Sequence, residues 1–221
     1  MSAFPQQLMS GYHGFATQRL PTEQSRYREL AERGQSPEIM VIGCCDSRVS
    51  PEVIFDAGPG ELFVVRNVAN LVPPYAPDEA AHGVSAALEF AVQVLRVKHI
   101  VVLGHAQCGG IKALAQDSAP LSPGDFIGRW MALLEPTLKQ SPRHADEAFQ
   151  DFITRLEKRA VCTSLQNLMT FPCVRILVER GKLHLHGAYF GVAHGSLAVL
   201  DDATGEFRNV GPTAADTTVE A

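Results

Sequence analysis

Three short apolar runs constrain the fold of this chain more than any other feature. They span Ile39 to Cys44, Leu62 to Arg66 and Ile100 to Gly104. Apolar strands of this kind are typical of parallel sheets that are buried on both faces. Between the last two runs, residues 78–96 place apolar side chains at helical spacing, which predicts a β-α-β crossover. We therefore expect an α/β fold with a mostly parallel central sheet flanked by helices.

The flanking segments extend this α/β pattern. Residues 3–33 carry apolar side chains at helical spacing. Pro21 divides this stretch and Thr22 is placed to cap its second half, so two N-terminal helices are predicted. Further elements are predicted as helices from about Gly109 and across 125–138, 147–169 and 171–179, the last ended by Gly181, and as strands across 183–190 and 196–200.

Composition excludes several classes of protein. The 221 residues are 46% hydrophobic, which is enough for the core of one domain. The net charge is -5 and basic residues are scattered, so neither nucleic acid nor an anionic membrane is expected as a partner. We find no basic export signal or spanning apolar run, and the five cysteines are an odd number. These features predict a soluble, cytoplasmic protein without a disulfide framework.

Metal-ligand side chains follow two of the predicted strands. Cys44 ends the first strand, and His105 and Cys108 follow another, with Cys108 three residues after His105. In open α/β sheets, ligands bind beyond the carboxyl ends of the strands. Each residue alone is more typical of core packing, but together two thiolates and an imidazole form a catalytic zinc set with one open position. Gly104, Gly109 and Gly110 would let the backbone turn there and its amides approach a ligand.

The residues after Cys44 predict a gate over that open position. Neighbouring strand residues face opposite sides, so Cys45 should pack elsewhere, whereas Asp46 and Arg48 should share the side of Cys44. Arg48 can hold the Asp46 carboxylate bidentately and keep it ionised. A lone pair of Asp46 would then point at whatever occupies the fourth position.

Five colinear motifs run through the chain: Cys44-x-Asp46-Ser47-Arg48, Pro59-Gly60-Glu61, Arg66-Asn67-Val68-Ala69-Asn70, Gly104-His105-x-x-Cys108-Gly109-Gly110 and Asn167-Leu168-x-Thr170-Phe171-Pro172. By these motifs the chain resembles the β-class carbonic anhydrases from about residue 20 to residue 201. The resemblance implies a zinc lyase that interconverts carbon dioxide and bicarbonate through a zinc-bound hydroxide. It implies one Zn2+ per subunit on Cys44, His105 and Cys108, with Asp46 and Arg48 as the catalytic pair.

The plant-like subclass of this family carries a glutamine in a Gly-Gln-Ser-Pro context, which residues 34–37 match. By this resemblance Gln35, Phe63 and Phe90 reach the zinc from a partner subunit. Val68 lines the carbon dioxide pocket, and the Gly109 amide helps to hold bicarbonate. Position 90 is Phe rather than the Tyr of the plant sequences, so a hydroxyl near the substrate is missing.

A second departure concerns inhibition by bicarbonate. The other subclass binds an inhibitory bicarbonate through a Trp, an Arg and a Tyr, whose positions here hold Val41, Arg66 and Phe190. We therefore expect an open zinc position without bicarbonate inhibition at that pocket.

Oligomeric state and domain boundaries follow from the same resemblance. A site completed by a partner requires a homodimer or a higher homo-oligomer, with the N-terminal helices as dimerisation arms packed across a two-fold axis. The predicted division is a helical arm at 1–34, a single α/β zinc catalytic domain at 35–211 and a flexible tail at 212–221.

Other functions remain open from the sequence. A carbon disulfide or carbonyl sulfide hydrolase could use the same ligands for a linear apolar substrate. A structural zinc domain would need a fourth protein ligand, and a thiol-nucleophile phosphatase would need a glycine-rich loop between Cys44 and Arg48. The proton shuttle is unassigned, with His82 and His13 as candidates.

Overall fold

A computed structural model describes residues 4–78, 80–116 and 126–211, so the predicted tail lies outside the described residues. A six-stranded sheet in the order β2-β1-β3-β4-β5-β6 forms its centre. The first four strands in that order are parallel, and the last two pairings are antiparallel. The mostly parallel sheet is therefore confirmed. The strands are β1 (Ile39–Cys44), β2 (Leu62–Asn67), β3 (His99–His105), β4 (His184–Gly191), β5 (Ser196–Asp201) and β6 (Glu206–Asn209).

Helices cover the sheet and form the N-terminal arm. Each helix predicted after residue 78 is found, with shifted ends and a break within 126–140. Strand β6 was not predicted, because its mostly exposed residues lack a regular apolar alternation. The helices are α1 (Gln6–Gly14), α2 (Leu20–Arg33), α3 (Pro51–Ile54), α4 (Gly83–Glu89), α5 (Gly109–Ala115), α6 (Phe126–Met131), α7 (Glu135–Gln140), α8 (Phe149–Leu168) and α9 (Pro172–Glu179).

The two predicted N-terminal helices are found as α1 and α2, and α2 begins at Leu20 with Pro21 in its first turn. The arm nevertheless stays helical without a break from Gln6 to Arg33. A π-helical turn over Phe15–Arg19 joins α1 to α2 just before Pro21. The wider turn accommodates a residue that cannot donate a backbone hydrogen bond. The Thr22 hydroxyl donates to the Arg19 carbonyl at 2.7 Å instead of capping a helix start.

Helix α8 packs closely on strands β3 and β4. A Cβ added to Gly104 would lie 2.5 Å from Val161 Cγ2, and one on Gly187 would lie 3.1 Å from Val161 Cγ1. Both glycines therefore provide space for the helix. Buried apolar side chains from α8, α9, α4 and the adjacent sheet face form one continuous core.

Within the described ranges, no single helix is long and apolar enough to cross a membrane. Helices α8 and α9 pass that test of length and composition only as a pair, and the two are bent by 91°.

Candidate metal centre

The three predicted metal ligands come together at the carboxyl edge of the sheet. Cys44 ends β1, His105 ends the neighbouring β3, and Cys108 directly precedes α5. One donor atom from each residue lies within 4.8 Å of the other two. The exposed fractions are 5% for Cys44 and 1% for His105 and Cys108. This buried set has the composition of a catalytic zinc site.

The surroundings of His105 fix which nitrogen is free. Its Nδ1 lies 2.9 Å from the Ala106 carbonyl oxygen, which can only accept, so Nδ1 carries the proton. Its Nε2 is then an unprotonated acceptor, and it is buried without a hydrogen-bond partner among the described residues. A buried, unpartnered nitrogen beside two thiols fits a metal ion, and the bond from the other ring nitrogen orients the ring for it.

The two thiols interact directly. A hydrogen bond from Cys108 lowers the pKa of the Cys44 thiol. The same bond, together with burial, raises the pKa of Cys108. Both sulfurs would hold a metal ion as thiolates, so metal binding at this pair would release protons.

Arg48 holds Asp46 in the predicted manner. Its Nε donates to Oδ1 at 2.9 Å and its Nη2 to Oδ2 at 2.7 Å, while the Arg48 amide also donates to Oδ1. These bonds hold the pKa of Asp46 well below its usual range. Arg48 Nη2 also donates to the Gln107 carbonyl at 3.2 Å, so it ties Asp46 to the loop that carries Cys108.

The turn between His105 and Cys108 differs from the expectation that glycines make it. The residue with a left-handed backbone is Gln107, with φ 58°. Gly104 and Gly110 instead allow close packing, since a Cβ on Gly110 would lie 2.9 Å from Val68 Cγ1. Space beside the Gly109 Cα is open, with nothing within 4 Å of an added Cβ. The strained backbone at Gln107 lets the side chains of His105 and Cys108 point toward the same metal position.

Glu157 supports the ligand loop and was missed by the sequence reasoning. Its side chain, 1% exposed on α8, accepts from the Cys108 amide at 2.8 Å and from the Tyr189 hydroxyl at 2.6 Å. Burial raises the pKa of Glu157, and the two hydrogen bonds oppose that rise. Its position on the buried stripe of α8, beside Leu156 and Val161, was the available signal.

Val68 borders a cavity of about 570 Å³ that Asn67, His82 and Trp130 also line. Trp130 Nε1 donates to the Val68 carbonyl at 2.8 Å and fixes that wall. His82 Nε2 lies 2.7 Å from Asp78 Oδ1, whereas His13 is exposed on α1. Of the two shuttle candidates, His82 is the one that borders this cavity.

The residues expected from a partner subunit lie away from the metal ligands. Gln35 is exposed between α2 and β1. Phe63 and Phe90 contact each other with ring centroids 5.9 Å apart. Phe63 lies four residues before the end of β2, which is about 13 Å along the strand.

Cys45 is exposed and stays outside the metal cluster, so the packing expected for it is absent from this chain. Val41 and Phe190 pack in one apolar cluster on the sheet. Arg66 donates to the Cys44 and Asp46 carbonyls at 2.8 and 2.7 Å. Its guanidinium is therefore engaged with the backbone of the ligand loop.

A family model described as carbonic anhydrase matches residues 39–197, which include every predicted metal ligand. The chain is 40% identical to β carbonic anhydrase 3 of Arabidopsis thaliana over 197 residues, which cover 86% of this chain and 74% of that protein. It belongs to the β-carbonic anhydrase family.

Solved β-carbonic anhydrases share the fold. The structure of CcaA superposes with a TM-score of 0.87 and 30% identity, covering 94% of this chain and 92% of the other. A chain from the crystal structures of two tetrameric β-carbonic anhydrases of Sordaria macrospora gives a TM-score of 0.71 and 28% identity, covering 93% of this chain and 95% of the other. The chain is thus a carbonic anhydrase, which hydrates carbon dioxide reversibly to bicarbonate and a proton.

Proposed function

We propose that this carbonic anhydrase works with one Zn2+ per chain, bound by Cys44, His105 and Cys108. The observation that carries the proposal is the unpartnered Nε2 of His105 beside two buried thiols. When bound, zinc supplies Lewis-acid chemistry that makes water acidic enough to lose a proton near neutral pH. Two thiolates would neutralise most of the metal charge, so the water would be less acidic than at a three-histidine site. Activity should therefore rise with pH.

Asp46 and Arg48 are proposed to orient the attacking oxygen. An ionised Asp46 can only accept hydrogen bonds, so it would accept one from the O–H group of that oxygen. A lone pair of the oxygen would then be free to attack carbon dioxide. Arg48 fixes the carboxylate through two bonds and keeps it from rotating. The pair thereby aligns the nucleophile before carbon dioxide arrives.

The substrate pocket is proposed to combine this chain with a neighbouring one. Val68 supplies an apolar wall and the Gly109 amide a donor for bicarbonate. Gln35, Phe63 and Phe90 would come from the neighbouring subunit, since they lie away from the metal ligands of their own chain. With Val41 and Phe190 in an apolar cluster and Arg66 bound to the backbone, bicarbonate inhibition at that pocket is not expected.

Assembly and location complete the proposal. We propose a homodimer or higher homo-oligomer in which the arm packs on a second copy; exposed Phe4, Leu8 and Tyr12 support this. The Sordaria relatives described as tetrameric make the larger assembly reasonable. Five free cysteines fit a reducing compartment, so we propose a cytoplasmic enzyme.

Metal analysis combined with stopped-flow carbon dioxide hydration tests the proposal on Cys108→Ser. We expect zinc to be lost and hydration to fall by about 10³-fold or more, because water regains its ordinary pKa. Cys45→Ser is the matched control, since its thiol is exposed and outside the cluster; it should retain zinc and activity. Full zinc and activity in Cys108→Ser would refute the ligand set.

A further inference from the structure

Three histidines lie together at the opposite end of the same strands. His99 begins β3 and His184 begins β4, and the two are paired in the parallel register. His186 follows two residues after His184, so its side chain shares that face of the sheet. The ring centroids of His99 lie 5.4 Å from His184 and 5.3 Å from His186. We call these residues the histidine trio.

The His99 and His186 rings already have the spacing of two ligands on one ion. His99 Nδ1 lies 3.1 Å from His186 Nε2. Two nitrogens bound tetrahedrally to zinc at 2.0–2.1 Å would be separated by about 3.3–3.4 Å. One metal ion can therefore replace the shared proton between these rings with a small displacement of either ring.

The third imidazole and a carboxylate are within reach of that position. His184 is exposed, so its ring is free to rotate from its stacked position toward the pair. Burial and the other two histidines lower the pKa of His186, and the negative charge of Asp202 partly opposes that lowering. The Asp202 carboxylate is thus near the His186 ring. His184, His186 and Asp202 line a cavity of about 570 Å³ that gives an ion access.

Other charged groups nearby are already paired. Asp201 bonds Arg208 at 2.9 Å, and Lys98 is paired with Glu38. His184, His186 and Asp202 thus remain as nitrogen and oxygen donors on the cavity wall, which Cys162 of α8 also lines. His99 joins them through its contact with His186. Imidazoles with one carboxylate suit Zn2+, Cu2+ and Ni2+, whereas Mg2+ and Ca2+ prefer oxygen ligands.

We propose that His99, His184 and His186, with Asp202 nearby, form a second transition-metal site that binds Zn2+ reversibly. The site lies about 20 Å from the catalytic ligands, since six residues of β3 separate His99 from His105. Its donors are less tightly grouped than those of the catalytic cluster, because His184 must rotate. We therefore infer weaker binding that depends on neutral imidazoles.

Isothermal titration of the zinc-loaded enzyme with Zn2+ tests this site. At about pH 7.5 we expect one additional zinc per chain, and at about pH 5.5, below the ordinary histidine pKa, we expect it to be lost. His186→Ala and His184→Ala should each weaken this second binding at least about 10-fold. Their carbon dioxide hydration should stay at the wild-type level, which shows that the fold and the catalytic zinc are intact.

His194→Ala is the matched control, because His194 is exposed and lies outside the histidine trio. The proposal is overturned if no second zinc binds, if both trio variants bind it like the wild type, or if His194→Ala loses it equally. Electron paramagnetic resonance of added Cu2+ gives an independent count of ligands. Coupling to two or three imidazole nitrogens supports the site, and coupling to none overturns it.

Discussion

Both ends of the parallel strands carry histidine, but the histidines differ in burial and in hydrogen bonding. At the carboxyl end, His105 is 1% exposed, its Nδ1 is bound to a carbonyl, and its Nε2 has no partner among the described residues. At the amino end, His99 and His186 are hydrogen-bonded to each other, and His184 is exposed.

The difference indicates how burial would separate a tightly held metal ion from a reversibly bound one at the two proposed sites. Water cannot replace a metal ion that leaves buried donors, so these donors would be left without a hydrogen-bond partner. Exposed imidazoles can return to water or take up a proton, and they release a metal easily. The first arrangement suits catalysis and the second suits a reversible ligand.

The largest effect that would sharpen this contrast is expected for Arg48→Ala. Without its two bonds Asp46 loses its fixed orientation, and we expect kcat to fall by about 10²–10³-fold, the usual loss for one preorganised polar group. Zinc content should stay unchanged, because Arg48 contacts none of the predicted ligand side chains. Stopped-flow hydration and metal analysis measure both.

Arg208→Ala is the control for Arg48→Ala, since it breaks another arginine–aspartate pair far from the catalytic loop. It should retain full activity. Loss of zinc in Arg48→Ala would show instead that the pair is structural.

A smaller effect is expected for Glu157→Gln. An amide can present its NH2 group toward the Cys108 N–H, so the support of the ligand loop weakens. We expect zinc affinity to fall about 10–100-fold, as for other groups that orient metal ligands. Competition with a zinc chelator measures this without relying on activity. Asp151→Asn, on the exposed face of α8, should leave zinc affinity at the wild-type value.

The smallest effect concerns pH at the amino end. Burial, with His99 and His184, lowers the pKa of His186. The unfolded chain then binds a proton more readily than the folded one, so stability is retained above about pH 6.5 and lost as the pH falls below it. His186→Gln should reduce the drop in Tm between about pH 7.5 and 5.5 by about 2–4 °C.

Thermal unfolding in the presence of a chelator measures this effect apart from metal binding. His194→Gln should keep the wild-type pH dependence. An unchanged drop in His186→Gln would mean that His186 does not contribute to acid sensitivity.

The sequence predicted the fold best where residue patterns are regular. The apolar runs at β1, β2 and β3 gave the strands to within one residue. Strands β1 and β3 lie inside the sheet, where burial on both faces requires such runs, whereas β2 is a half-buried edge strand that is apolar nonetheless. Pro21 correctly marked the start of the second arm helix, but periodicity did not reveal the π-helical turn that joins the two helices without a break. Strand β6 is an edge strand with little burial, and its sequence carries a correspondingly weak signal.

The candidate site could be predicted in its ligands but not in its support. Cys44, His105 and Cys108 are recognisable from residue type and strand position, as is the pairing of Asp46 with Arg48. Glu157 is 49 residues from Cys108 in the chain, and only the packing of α8 on the sheet brings them together. Likewise, nothing in the sequence distinguishes Gln107 as the residue that adopts the left-handed turn.

The glycines under α8 have a consequence for how this metal site can be altered. Val161, which fills the space above Gly104 and Gly187, lies about one helical turn from Glu157. A methyl group at either glycine would lift the helix and draw the carboxylate away from the Cys108 amide. The distance between helix α8 and the sheet would therefore affect zinc affinity, although neither glycine has a side chain that could bind the metal.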